Sequence, residues 1–232
     1  MRIKVYETEE TLYGAAAETC ASDVRRHFQD NEDTPFRLCL GADKINVEAM
    51  RELVTEDVNW KNLHVYFSWE FLGEQGISAI SRRKRITYNF TDKLSSFVPS
   101  NLHFDEKKQY DSDSAVKLSR ENKDRFDLIF VELLPNGGIC MNLPPCNFDT
   151  RDAYINSKDF LGTDCITVSP YKILSSKKIV ALASGEHMAK TVGAMFANEL
   201  SAMTPSTILK EHPDFVLLLD KEAACFVPQC YL

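Results

Sequence analysis

Acids, an imidazole and cations stand at separated places in this chain. Glu70 closes the apolar run Val65-Tyr-Phe-Ser-Trp69. A desolvated carboxylate there would serve as a general base near neutral pH, or as a structural acid bonded to a loop. His187 and Lys190 follow Gly185 at the start of a helical pattern, where free N–H groups and the dipole favour an anion. Lys158 adds a cation without the bidentate fork of an arginine. At Gly137 and Gly138 a turn with positive φ and no side chain would let the backbone approach a ligand closely. Asp43 and Lys44 lie in a turn between strand and helix. For each residue the alternative is plain packing or a solvated loop.

Short runs rich in Val, Ile, Leu and Phe alternate with helical patterns, which predicts βαβ units and a mainly parallel sheet to position these groups. Strands are expected at 2–6, 36–41, 63–68, 126–133, 164–169, 178–183 and 214–220. Helices are expected over Glu9 to Gln29, Asn46 to Leu53, Ser112 to Lys123 and His187 to Ala197. In the first helix Leu12, Ala16, Cys20 and Val24 recur every four residues, so one face packs and the other is solvated. Asn46 is the expected N-cap of the second helix. The stretch from Gly73 to Asp113 is the least regular. Its basic run Arg82-Arg-Lys-Arg85 reads as a solvated face, with an anion or partner contact as the alternative.

With 232 residues, 44% of them apolar, one domain can hold a core that buries about 70% or more of its unfolded surface. The formal charge of −7 argues against nucleic acid, which needs clustered Lys and Arg to neutralise phosphates. No segment approaches the ~20 apolar residues needed to span a bilayer, and the first residues lack a signal-peptide run. No membrane partner and a cytoplasmic location are expected. The seven scattered cysteines fit reduced core thiols better than a disulfide framework, and no metal site is expected.

Asp127-Leu-Ile-Phe-Val-Glu-Leu-Leu-Pro135-Asn-Gly-Gly138-Ile-Cys-Met-Asn142-Leu-Pro144 is one of four segments that share a resemblance. The others are Phe36-Arg-Leu-Cys-Leu-Gly41-Ala-Asp-Lys-Ile-Asn46, the run from Val58 to Gly73, and the run from Asn156 to Lys190, with His212 to Asp220 as a closing strand. Together they resemble the aldose-phosphate isomerase family that holds glucosamine-6-phosphate deaminases and 6-phosphogluconolactonases. In that family the turn of the first segment reads Gly-x-Gly-(Asn/Pro)-Asp-Gly-His. The resemblance implies an α/β fold in three α/β/α layers over a mainly parallel sheet, a modified Rossmann-like arrangement as in glucosamine-6-phosphate deaminase. It would form a single sugar-phosphate isomerase-like domain over residues 1–232.

At the positions that carry chemistry the resemblance fails. Asn136 stands where it puts the catalytic Asp, Gly138 where it puts the His, and Trp69 where the deaminases have a proton-transferring Asp. Leu143 replaces a Glu, Met188 a phosphate-binding Lys, and Lys158 the Arg of an Asn-Ser-Arg motif. The expectation is a deaminase-like protein of amino-sugar phosphate metabolism with impaired catalysis, at most a binder of a phosphorylated sugar. Catalytic candidates are Glu70, Asn136 and His187; binding candidates are Lys44, Gly137, Gly138, Lys158 and Lys190; no cofactor is implied. Two alternatives stay open. One is a lactonase-like hydrolase, favoured by Pro135, with its machinery relocated to Glu70, His187, Lys158 or Asp43, which should then converge on one pocket. The other is a non-enzymatic regulatory or interaction subunit, and the resemblance also admits a homo-oligomer.

Overall fold

Strand β1 (Arg2–Tyr6) leads into helix α1 (Glu9–Asp30), β2 (Phe36–Leu40) and α2 (Lys44–Leu53), in a computed structural model that describes residues 1–31 and 33–231. The chain continues through β3 (Leu63–Phe67), β4 (Trp69–Phe71), α3 (Arg82–Asn89), α4 (Ser114–Glu121) and β5 (Leu128–Glu132). It then forms β6 (Tyr154–Lys158), β7 (Asp164–Val168), α5 (Pro170–Leu174), β8 (Lys178–Ala183), α6 (Glu186–Ala197) and β9 (Phe215–Asp220). Six strands make one parallel sheet in the order β1-β9-β8-β5-β2-β3, with helices on both sides. Strands β4, β7 and β6 form a small antiparallel sheet at its side.

Burial on both faces explains why β5 is the continuous apolar run Leu-Ile-Phe-Val before Glu132, each of its residues being buried. It pairs with β8 from Leu128 opposite Lys178 to Glu132 opposite Leu182, and with β2 at Leu38 and Cys39. The chain on either side of β5 runs outward in opposite directions. Its carboxyl end is therefore the switch point at which open α/β sheets form a crevice. The buried stripe of α1 is the expected one, with Leu12, Ala16, Cys20 and Val24 all fully inaccessible.

Two local expectations are corrected. Helix α2 starts at Lys44 rather than after Asn46, because Asp43 is the N-cap and accepts from Asn46 N at 3.0 Å. Asn46 lies inside the first turn, its Nδ2 also donating to Asp43 at 2.7 Å. The basic run is not a solvated face: Ser81 caps α3 by accepting from Lys84 N, and Arg83 has no exposed side-chain surface. In addition, β4, β6 and α5 are elements that the apolar pattern did not announce.

The cysteines are all free thiols, five buried and Cys225 and Cys230 exposed. Burial pushes the Cys140 thiol well up and the Cys146 thiol up to about 11, so both stay protonated and unreactive near neutral pH. Among the described residues no helix is long and apolar enough to cross a membrane, and no group of three or more His, Cys, Asp or Glu is placed to hold a metal ion.

Candidate active site

A cleft of about 260 Å³ opens at the carboxyl ends of β2, β5 and β8. The turn into α2 contributes Asp43 and Lys44, the turn after β5 contributes Leu134 and Pro135, and the start of α6 contributes His187 and Met188. Glu9 and Tyr13 from α1 and Ser184 after β8 complete its polar wall. Glu9 accepts from Ser184 Oγ at 2.6 Å and from Tyr13 Oη at 3.0 Å. Those hydrogen bonds, with the charges of Lys44 and His187 adding to them, hold its carboxyl below the usual range. Burial, reinforced by Glu9, pushes the Tyr13 hydroxyl up, so it remains a donor.

Next in the chain to Leu133 of this cleft, and sharing Asp43 with it, the carboxylate of Glu132 fills a seat of converging donors. Its Oε1 accepts from Ala42 N at 2.5 Å, from Asp43 N at 3.2 Å and from Arg82 Nη2 at 2.7 Å. Its Oε2 accepts from the indole Nε1 of Trp69 at 2.5 Å. The guanidinium of Arg82 stacks over the Trp69 ring at 4.4 Å, so one cation serves the carboxylate and the aromatic face together. Gly41 is required here, since a Cβ at that position would lie 2.5 Å from Glu132 Cγ. Charge repulsion from Glu132 adds to burial in pushing the Asp43 carboxyl up, to about 7.

Only part of the expected constellation gathers in the cleft: Lys44 and His187 line it, as does Asp43. Glu70 points elsewhere. It is fully buried, and its oxygens accept from Ser81 Oγ, Arg82 N and Arg83 N, which makes it the anchor of α3 rather than a free base. Asn136 is exposed, and its Oδ1 is spent on Gly138 N at 3.0 Å. Gly137 N donates to Leu134 O at 2.9 Å, so both glycine N–H groups serve the turn and none is left for an anion. Lys158 sits at the far end of the small sheet, paired with Asp164 at 2.6 Å. Lys190 is exposed on α6 outside the cleft. The start of α6 is likewise occupied by the chain's own acids: Gly185 N donates to Asp220 at 2.8 Å and Glu186 N to Glu222 at 3.3 Å.

No family model matches the chain. A glucosamine-6-phosphate deaminase from Clostridium perfringens is 24% identical over 245 residues, spanning 97% of this chain and 98% of that protein. A solved monomeric glucosamine-6-phosphate deaminase superposes with a TM-score of 0.82 at 21% identity, covering 97% of this chain and all of the other. The chain is similar to glucosamine-6-phosphate deaminases over nearly its whole length and shares their fold. A 6-phosphogluconolactonase from Thermotoga maritima has the same fold, with a TM-score of 0.81 at 15% identity over 95% of this chain and 99% of that one.

In this chain the residues that sequence reasoning missed are Glu9, Tyr13, Ser184 and Glu132, while Arg82 and Arg83 entered it only within the basic run, whose anion contact was the alternative reading. One local signal was available, since Ser81 before the basic run is a helix N-cap type. Glu132 gave none, because it reads as the polar end of an apolar strand.

Proposed function

We infer that this chain is a sugar-phosphate-binding member of the family that lacks the acid–base machinery of a deaminase or lactonase. The observation that carries this reading is the occupied seat of Glu132. Counted back from Gly138, the family's turn motif puts its first glycine at Glu132 and its acid and imidazole at Asn136 and Gly138. A glycine at the first position would leave the turn 41–43 unfilled. Here a carboxylate fills it, and Trp69, at the place of the deaminases' acid, binds that carboxylate instead of carrying a proton. Losing positioned general acids and bases costs roughly 10²-fold to 10⁴-fold each. Lys44 still presents a positive charge and His187 an imidazole to the open cleft, which supports a phosphorylated sugar as the ligand class.

The test is a thermal-shift titration with glucosamine-6-phosphate, fructose-6-phosphate, 6-phosphogluconate and inorganic phosphate, beside an assay for ammonia release. A ligand at ~100 times its Kd adds about 2.7 kcal/mol of stability. A saturable shift with one sugar phosphate and no turnover is expected. Conversion of glucosamine-6-phosphate to fructose-6-phosphate at enzyme-like rates would overturn the catalytic half of the reading. No shift with any compound would leave the regulatory or interaction subunit in its place.

One observation favours a second reading. Asp43, with its carboxyl pushed up to about 7, shares the cleft with His187, and an acid poised near neutral pH suits proton transfer. Hydrolysis of 6-phosphogluconolactone by the wild type, abolished in Asp43→Asn, would establish it.

A further inference from the structure

Four donors from three separate segments converge on the Glu132 carboxylate: the N–H groups of Ala42 and Asp43, the Arg82 guanidinium and the Trp69 indole N–H. The group they hold is 1% exposed at Glu132, and Arg82 is only 12% exposed in its side chain, so the seat is dry on every side that these residues form. Arg82 Nε is buried beside it with no partner, a further N–H that the carboxylate leaves unused. The seat is shaped to its occupant, since Gly41 supplies the only backbone that clears Glu132 Cγ and Oε1. Donors arranged in this way recognise an oxyanion of carboxylate or phosphate type.

We propose that Glu132 is a tethered internal ligand that closes an oxyanion seat, and that removing its carboxylate opens the seat to a free carboxylate or phosphate. The two backbone N–H groups are held by the turn into α2, and Arg82 is held by Trp69 stacking, so the donors stay in place when the side chain is shortened. A small anion then replaces the lost oxygens one for one. In the wild type Glu132 excludes such anions from the seat, and an anionic ligand of the neighbouring cleft is left with Lys44 and His187. The argument rests on the chain's own donors and holds whether or not that cleft takes a sugar.

Glu132→Ala, in a Trp60→Phe background so that emission reports Trp69, is titrated with sodium formate and with inorganic phosphate against sodium chloride at matched ionic strength. The expected result is a saturable rise in Tm of roughly 5–10 °C once the anion reaches ~100 times its Kd, with a parallel saturable change in Trp69 emission. Formate acting alone assigns a carboxylate seat, and phosphate acting as well assigns a wider one. The wild type is expected to show neither response. Glu132→Gln keeps the volume and serves as the blocked control: a lower Tm than the wild type and no anion-dependent gain. A chloride response equal to that of formate would overturn the proposal, as would an equal response in the wild type. Failure of the Glu132→Ala protein to fold in every buffer, formate included, would also overturn it, because a refilled seat predicts recovery.

Discussion

Arg83 Nε donates to Glu70 Oε2 at 3.1 Å with neither side chain exposed. The other guanidinium nitrogens donate to the carbonyls of Asp105, Gly76 and Lys108 at 2.6, 2.8 and 2.9 Å, and the group lies over the Tyr110 ring at 4.1 Å. One buried arginine thus ties together the least regular part of the chain, whose loop carbonyls would otherwise be desolvated without donors. Glu70 supplies the counter-charge and also receives the N–H groups that open α3.

Removing that carboxylate leaves a buried, uncompensated guanidinium. Glu70→Ala is therefore expected to cost about 3–5 kcal/mol in urea unfolding, the penalty for breaking a buried pair from one side. A loss under about 1 kcal/mol would show that the pair carries no such load. Sugar-phosphate shifts measured on the folded fraction should be unchanged, because Glu70 lies outside the cleft.

Trp69 and Glu132 are expected to be energetically coupled. Trp69→Asp alone sets a second carboxylate against Glu132 and removes the ring beneath Arg82, so it should destabilise the protein without creating deaminase activity. Glu132→Gly alone strands Arg82. In the double variant Arg82 regains a carboxylate, and the combined loss should fall short of the sum by more than about 1 kcal/mol, within the range found for residues in contact. Urea unfolding of the four proteins reads this directly, and strict additivity would count against the coupling.

The pH dependence of stability should contain two opposed contributions. The Asp43 carboxyl is raised in the fold to about 7 from 3.8, so its contribution is fully present below about pH 4 and is lost as pH rises through 7. His103 behaves oppositely. Stacked on Tyr66 at 4.2 Å and 2.8 Å from His64 Nδ1, it is pushed down by burial, and further by His64 and Arg37, from 6.5 to about 4. Its contribution is present above about pH 6.5 and is lost as pH falls toward 4. Asp43→Asn, which keeps an N-cap type, should lose the first slope and keep the second. Wild-type stability measured relative to that variant should therefore decline between pH 4 and 7, and a flat difference would refute the Asp43 assignment.

Ligand binding should depend on Lys44 and His187 in the cleft and not on the cations outside it. Lys44→Ala and His187→Ala are each expected to weaken glucosamine-6-phosphate about threefold to tenfold, the modest loss suited to exposed charged contacts. Lys158→Ala and Lys190→Ala should leave the affinity within about twofold. Calorimetric titration of the four variants separates the sets, and a large effect at Lys158 would relocate the site.

Much of the fold was legible in the amino-acid order. The apolar runs at 36–41, 63–68, 126–133, 178–183 and 214–220 mark strands because a strand buried on both faces must be apolar throughout. The four-residue recurrence from Leu12 to Val24 marks a helix face for an equally local reason. The cleft was legible in part, through Lys44, Asp43 and His187, since turns after strands lie at a sheet's carboxyl ends. The seat of Glu132 was not legible. Glu132 meets Ala42 across 90 positions, Trp69 across 63 and Arg82 across 50, and those meetings exist only because the sheet sets β5 beside β2 and turns β4 toward α3. A basic run and the polar end of a strand carry no local sign that they will neutralise each other. Burial, which makes an unpaired charge costly, selects that pairing only once the strands are in order.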